Sequence, residues 1–146
     1  MTNLATAYAR LGRIEDASRL QRDVYYGRLK LDGEEDERTL RAANNYASSL
    51  SMLRRFKEAK SLTRKTIPVA RRVLGENHER TLALRWIYAN TLSMNESATV
   101  ADLREAVTTL KSVEMSYKRV FGASHPETQK VQNVLNSARA TLAARA

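Results

Sequence analysis

The side chains best suited to chemistry in this chain are two histidines, His78 and His125, and the acidic run Glu34-Glu35-Asp36-Glu37. Histidines can bind zinc or act as general bases, and clustered carboxylates can bind calcium or magnesium. His78-Glu79-Arg80-Thr81-Leu82, however, lacks the second histidine of a zinc-protease helix. The chain also has no cysteine, which excludes disulfides, thiolate metal sites and cysteine nucleophiles.

Both sets of residues have a simpler structural interpretation. The acidic run precedes a predicted helix, where negative charge is stabilised by the positive end of the helix dipole. The two histidines occupy equivalent positions in successive sequence repeats, about one repeat apart in space and too far apart to share a metal. No nucleophile, base and orienting group stand at a recognisable spacing, and no glycine-rich phosphate loop is present. We therefore predict no catalytic residue, no metal and no cofactor.

Positive charge is the other conspicuous chemical feature. The net charge is +9, and most of the excess lies in residues 43–84. The cluster predicts either a solubilising surface or, as the alternative function, a basic α-solenoid that binds nucleic acid or another acidic surface. Few aromatic side chains lie among these charges, which argues against RNA, since base stacking normally needs them. The basic residues are Arg54, Arg55, Lys57, Lys60, Arg64, Lys65, Arg71 and Arg72, with Lys57, Lys60, Arg64 and Arg71 on one helix face.

The elements that position these residues follow from an internal repeat. A shift of 42 residues places the segment 31–40 on 73–82 with most residues matching, and it pairs Ala17 with Ala59. Later in the chain the offset becomes 47, so the third unit carries five extra residues between Met94 and Leu103. Within each unit, apolar residues recur at helical spacing in two successive stripes. The predicted helices are 2–11, 14–31, 37–53, 56–73, 79–94, 100–120 and 126–144.

The helix ends carry recognisable signals. Gly33, Gly75 and Gly122 each follow a predicted helix, where a left-handed residue is favoured. Thr99 and Asp102 have the spacing of a capping box for the helix that begins at residue 100. Short turns between amphipathic helices predict antiparallel neighbours, and a repeated helix pair stacks into a superhelix.

This pattern resembles tetratricopeptide repeats, in particular the longer 42-residue repeats of kinesin light chains. The resemblance rests on Asn44-Asn45-Tyr46-Ala47, Phe56-Lys57-Glu58-Ala59, Val73-Leu74-Gly75-Glu76-Asn77-His78 and the junction Gly122-Ala123-Ser124-His125-Pro126. It implies an all-α fold, a right-handed α-solenoid of stacked antiparallel helix pairs. The units would be 1–36, 37–78 and 79–125, followed by a C-terminal helix over 126–146. Asp36 departs from the pattern because it stands where histidine is expected.

The resemblance also implies a function: a protein–protein interaction scaffold that binds a partner peptide or protein segment through its concave face. In such proteins the first helix of each unit lines that face. Asparagine suits it, because its amide both donates and accepts hydrogen bonds to a peptide backbone. Trp86 and Ile87 could lie in this groove or be covered by the helix over 126–144. The predicted binding residues are Asn3, Arg10, Arg41, Asn44, Asn45, Ser48, Met52, Trp86, Ile87, Asn90 and Met94.

The last expectations concern the ends of the chain and its location. No apolar run reaches the roughly 18–20 residues of a membrane span, and residues 1–5 lack the features of a signal peptide. We expect a cytoplasmic protein that does not bind membranes. The first helix lacks the capping residues of the others, so the array is expected to be a fragment of a longer one. Its uncapped end should expose apolar surface or pair with a second copy.

Overall fold

The structure, a computed structural model, describes the backbone of residues 3–146 and the side chains of residues 9–146. Over that range the chain is all-α and contains no strand. None of its helices is long and apolar enough to cross a membrane. The six helices are α1 (Asn3–Asp32), α2 (Glu37–Met52), α3 (Phe56–Leu74), α4 (Glu79–Met94), α5 (Val100–Phe121) and α6 (Pro126–Arg145).

Each helix packs against the next one in the chain, as expected for stacked helix pairs joined by short turns. In addition, the backbone of α2 lies close to that of α4, and the backbone of α4 lies close to that of α6. Helices α1 and α3 meet only through side chains in the described residues, such as the Lys65 ammonium 5.8 Å from the centre of the Tyr25 ring. Because only α2, α4 and α6 approach closely across the repeats, these three helices lie on the inner side of the curve. The prediction of an all-α solenoid is confirmed.

The hydrophobic core consists of three clusters along the stack and is built mainly where consecutive helices meet. Ala47 and Ala59 are fully buried, and their small side chains let α2 and α3 approach closely. Leu110 and Leu135 bury the contact of α5 with α6. Such close-packed contacts position the inner surface of α2 and α4 rigidly.

The helix ends follow the sequence signals. Asp36, His78 and His125 occupy equivalent positions, and the side chain of each accepts a hydrogen bond from the backbone N–H two residues later, at 2.8, 3.0 and 3.1 Å. This confirms the structural role predicted for the histidines and shows that Asp36 replaces histidine with the same function. Thr99 and Asp102 form the predicted capping box.

One prediction about the helices was wrong. Residues 2–11 and 14–31 were expected to be two helices, but residues 3–32 form the single helix α1. The other predicted helix bounds agree with the structure to within one residue. Gly12 and Arg13 provide no side-chain cap for a second helix start, and residues 9–13 are all exposed. With no buried contact at this point, the chain keeps its backbone hydrogen bonds by continuing the helix.

Candidate functional site

The inner surface of the solenoid contains an open cleft between α2 and α4, which we call the α2–α4 cleft. It has a volume of about 460 Å³. Its position follows from the packing, since the facing sides of α2 and α4 meet at their cores and diverge toward the inner surface. The cleft is lined by Ser48, Ser51, Met52, Arg54, Phe56, Trp86, Ile87, Asn90 and Met94.

Two methionines form the rims of the cleft. Met52, at the end of α2, is 61% exposed, and Met94, at the equivalent end of α4, is 48% exposed. Methionine is flexible and polarisable, so it adapts to differently shaped apolar groups. Between these rims lies the half-buried Trp86, which packs against the core on both sides of α4. The indole N–H of Trp86 is buried and has no hydrogen-bond partner in the described residues.

Trp86 and Ile87, the two large apolar residues of α4 expected either in the groove or under the C-terminal helix, lie at the floor of the cleft. Ile87 is only 5% exposed and belongs to the core around Tyr46 and Ala47, so it is buried, but it is covered by α2 and not by the helix over 126–144. The burial comes from α2, which packs directly on α4, a contact between repeats that a single-helix wheel does not include. Trp86 is partly in the cleft and partly covered, because it also packs against the cluster that α6 completes.

The far end of the cleft comes from the turn between α2 and α3. Arg54 adopts a left-handed conformation with φ of 60°. Its guanidinium lies 5.1 Å from the centre of the Phe56 ring and 3.7 Å from a carboxylate oxygen of Glu96. Glu96 belongs to the inserted loop after α4, and Arg145 of α6 holds that loop through the backbone oxygens of Glu96 and Ala98. A cation is thus placed at one end of an otherwise apolar and amide-lined cleft.

The predicted binding residues divide into groups in the structure. The cleft brings together Ser48, Met52, Trp86, Asn90 and Met94, with Ile87 beneath them. Arg41 and Asn45 are exposed on the same face of α2 but lie outside the cleft, closer to the start of the helix. The half-buried Asn44 has a side-chain oxygen that is buried without a partner. Arg10 is exposed on α1, away from the cleft, and the side chain of Asn3 lies outside the described residues.

Three lining residues were not predicted: Ser51, Arg54 and Phe56. Phe56 was assigned to the core stripe of its helix, and Arg54 to the basic cluster. The predicted turn that follows Met52 is the sequence signal that could have identified them. Met52 and Met94 end equivalent inner helices and therefore lie at the same end of the groove, so the residues of that turn must lie there too.

The basic outer face of α3 is the second candidate site, and some of its charges are engaged within the fold. Arg71 pairs with Glu76 at 2.9 Å, and Arg72 pairs with Glu35 at 2.9 Å. Arg64 donates a hydrogen bond to the Tyr88 hydroxyl at 3.2 Å. Lys57, Lys60 and Arg64 of the predicted basic face therefore have no ion pair in the described residues. The same is true of Arg55 and Lys65 in the wider cluster.

Behind this face, Arg85 is nearly fully buried in α4 and pairs with Glu76 at 3.1 Å. Burial lowers the pKa of the Arg85 guanidinium, and the nearby Glu76 carboxylate partly offsets that effect. Glu76 therefore joins Arg71 on the surface to Arg85 inside. No group of three or more histidine, aspartate or glutamate side chains in residues 9–146 is placed to hold a metal.

Comparison with known proteins supports the fold and says little about the partner. Residues 1–72 match the tetratricopeptide repeat family. The match supports a tetratricopeptide repeat protein. No curated protein matches the chain in a sequence search. The matched range ends within α3, so it includes α2 but not α4. Only one of the two helices that form the cleft therefore lies within the match.

Proposed function

We propose that the protein is a non-catalytic protein–protein interaction scaffold that binds an extended or helical segment of a partner in the α2–α4 cleft. The observation that carries this proposal is the arrangement of two exposed methionines around a half-buried tryptophan in an open cleft on the inner face. Monomeric proteins rarely leave large apolar side chains grouped in a concavity unless a ligand covers them.

The polar lining of the cleft supports a peptide rather than a small apolar ligand. Asn90 and Ser48 lie on opposite walls and can donate to and accept from a peptide backbone without requiring one sequence. Arg54 at the end of the cleft would favour an acidic side chain or a carboxylate, which would compete with the exposed Glu96 for the guanidinium. We therefore infer a partner segment with apolar side chains spaced to reach Met52 and Met94, and an acidic group near Arg54.

The finer family assignment is part of the proposal. The 42-residue period and the Gly-x-x-His junctions support the kinesin-light-chain-like type of repeat. The division into units 1–36, 37–78, 79–125 and 126–146, and a cytoplasmic location, stay predictions. We expect these residues neither to catalyse a reaction nor to bind a metal, because the histidines cap helices and the acidic run contains the capping residue Asp36.

The unique tryptophan makes the proposal directly testable. Trp86 is the single tryptophan of the chain, so its fluorescence reports on the cleft. Peptides selected from a random display library on the 146-residue chain should shift the Trp86 emission and bind Met94→Lys several-fold more weakly. The matched control is Met115→Lys, since Met115 is similarly exposed on α5 but lies outside the cleft. Selected peptides that leave the emission unchanged and ignore Met94→Lys would refute binding in the cleft.

The alternative, a basic α-solenoid for nucleic acid, has weaker support. The arginines at positions 71 and 72 that would contact phosphates are already paired with carboxylates. Breaking these ion pairs would cost free energy, which would offset part of the binding free energy gained from phosphate contacts. A nucleic acid affinity that falls steeply with salt, together with failure of peptide selection, would favour this alternative instead.

A further inference from the structure

A second concavity, with a volume of about 220 Å³, opens between the outer helices α3 and α5. We call it the α3–α5 pocket. Helix α3 contributes Arg64 and Arg71 to its lining, and α4 beneath contributes Arg85. Three guanidinium groups therefore line one small concavity. Its volume is below the roughly 300–1,000 Å³ of pockets for drug-sized ligands, so it suits a small polar group.

Arg85 is a costly residue at its position in the fold. It is only 7% exposed, whereas position 43, its equivalent one repeat earlier, holds a fully buried alanine. Burying a guanidinium costs free energy that a pair with one carboxylate does not fully recover. Ala43 fills the same place in the core without that cost. The stacking of the helices therefore does not require an arginine here, and its presence points to a role other than packing.

The positive charge of Arg85 is only partly compensated. Its guanidinium shares the Glu76 carboxylate with Arg71, at 3.1 Å from Arg85 and 2.9 Å from Arg71. One terminal nitrogen of Arg85 donates to the Ser112 hydroxyl at 3.1 Å, and its Nε is buried without a partner in the described residues. Two positive charges are thus balanced by one negative charge, and Glu76 holds the two arginines side by side.

Arg64 adds a third positive charge that has no ion pair in residues 9–146. Its Nε donates to the Tyr88 hydroxyl at 3.2 Å, so Tyr88 positions it. The same hydroxyl donates to Glu105, the carboxylate that lines the pocket. Asp102 also lies near Arg64, but Lys60 lies near Asp102 and offsets its charge. The pocket therefore has an excess of positive charge.

We propose that the α3–α5 pocket binds a phosphate monoester group through Arg64, Arg71 and Arg85. Such a group carries about −1.5 to −2 charges at neutral pH and three acceptor oxygens, so it can accept hydrogen bonds from all three guanidiniums. Clusters of arginines recognise phosphorylated groups in the same way. The half-buried Thr109 adds a hydroxyl donor to the lining. This site is separate from the α2–α4 cleft and does not depend on the function proposed for the cleft.

Isothermal titration calorimetry of the 146-residue chain with phenyl phosphate is the first test. We expect one saturable site, and Arg85→Gln or Arg64→Gln should weaken binding about tenfold or more, because each removes charge-assisted hydrogen bonds. Arg85→Gln should keep the helix content, since its equivalent positions hold Ala43 and Gln132. Arg72→Gln is the matched control, because Arg72 neighbours Arg71 on α3 but lies outside the pocket. Absence of saturable binding, or an equal loss in Arg72→Gln, overturns the proposal.

Glu105 provides a test of opposite sign. Glu105→Gln removes a negative charge from the pocket and keeps an acceptor for the Tyr88 hydroxyl. Phenyl phosphate should therefore bind several-fold more tightly to this variant. Glu58→Gln is the control, since Glu58 is the repeat equivalent of Glu105 and lines a pocket that contains none of the three arginines. Unchanged or weaker binding to Glu105→Gln would contradict the proposed site.

Further ligands distinguish the sources of the phosphate group and its specificity. A phosphoserine peptide that binds more tightly than inorganic phosphate, while its unphosphorylated form does not bind, would identify a phosphorylated protein side chain as the source. Equal or tighter binding of inorganic phosphate would identify a small-molecule phosphate instead. Benzoate has the ring of phenyl phosphate with a carboxylate in place of the phosphate. Benzoate that binds as tightly as phenyl phosphate would overturn the assignment to phosphate.

Discussion

The inner face of α2 and α4 and the outer face of α3 show two ways in which a surface of the same solenoid can be used. On the inner face, Met52, Met94 and Asn90 project into a cleft with few contacts of their own. On the outer face, two of the basic side chains singled out in the sequence are paired with carboxylates, Arg71 with Glu76 and Arg72 with Glu35.

The difference shows why a high net charge is a poor guide to a binding site here. Surface ion pairs contribute little to stability, but they reduce the charge available to a partner. The contact of an exposed methionine or a half-buried tryptophan with water is not offset by any such pairing. Covering it with a partner is therefore more favourable in free energy. The following predictions test the contrast, from the largest expected effect to the smallest.

Ala47→Leu should lower the free energy of unfolding by about 1–3 kcal/mol, because it overpacks the close contact of α2 with α3. Ala47 is fully buried between the two faces. Ala83→Leu is the control, since Ala83 lies in α4 and is half-buried, whereas Ala47 is fully enclosed. Urea denaturation of both variants measures the difference. Equal destabilisation by the two changes would contradict the assigned orientation of the helices.

Asn90→Ala should weaken binding of a cleft-selected peptide several-fold, since one polar contact contributes on the order of 1 kcal/mol. Its melting temperature should stay close to that of the unchanged protein, because the Asn90 side chain lines the cleft and no partner in the fold depends on it. Asn45→Ala should have a smaller effect on the same peptide, because Asn45 lies outside the cleft. A larger loss for Asn45→Ala would move the binding groove toward the start of α2.

Tyr88→Phe tests whether the outer face is held together by its own contacts. The Tyr88 hydroxyl donates to Glu105 and accepts from Arg64, so its loss should cost about 0.5–1.5 kcal/mol at neutral pH. Burial, reinforced by the Glu105 hydrogen bond, raises the pKa of Tyr88 above the ordinary value of 10.0, against an opposing effect of Arg64.

The pH dependence of that variant has a definite sign. A phenol with a raised pKa in the folded state stabilises the fold below its ordinary pKa, and this contribution disappears as the pH rises through the raised value. The difference in unfolding free energy between the unchanged protein and Tyr88→Phe should therefore shrink at alkaline pH. A difference that grows above pH 10.0 would show that the hydroxyl is not held as described.

Lys57→Glu combined with Lys60→Glu should have the smallest effect. These lysines lie on the outer face, so the change should alter the salt dependence of peptide binding more than the affinity itself. Titrations at low and high salt with the cleft-selected peptide provide the measurement. Loss of binding at both salt concentrations, with Asn90→Ala having no effect, would make the outer face the binding site.

Much of the fold could be predicted because its signals are local. The glycines that end helices α1, α3 and α5 are recognisable from their position after an apolar stripe, and Gly33, Gly75 and Gly122 all have positive φ. The starts of α2, α4 and α6 depend on one side chain each, at Asp36, His78 and His125. A capping bond joins residues two positions apart, so no distant contact is needed to recognise it.

The candidate site was less predictable because it depends on contacts between repeats. A helical wheel placed Met52, Asn90 and Met94 on the inner face, and in the structure all three line the cleft. The same wheel could not show that α2 would cover Ile87, or that Arg54 and Phe56 would close one end. Those outcomes depend on how far α2 and α4 lie apart and on where the chain turns between α2 and α3.

Gly12 and Arg54 are equivalent positions 42 residues apart. They show most clearly what the sequence determines and what the tertiary structure decides. The sequence alone favours a turn at Gly12, since glycine adopts positive φ without steric cost and weakens a helix. The structure turns instead at Arg54, with φ of 60°, and continues as a helix through Gly12. The sequence determined the helices, their capped ends and the repeat. Tertiary structure decided which turn forms, because α2 and α3 have neighbours whose buried contacts outweigh the strain at Arg54, whereas residues 9–13 around Gly12 are exposed.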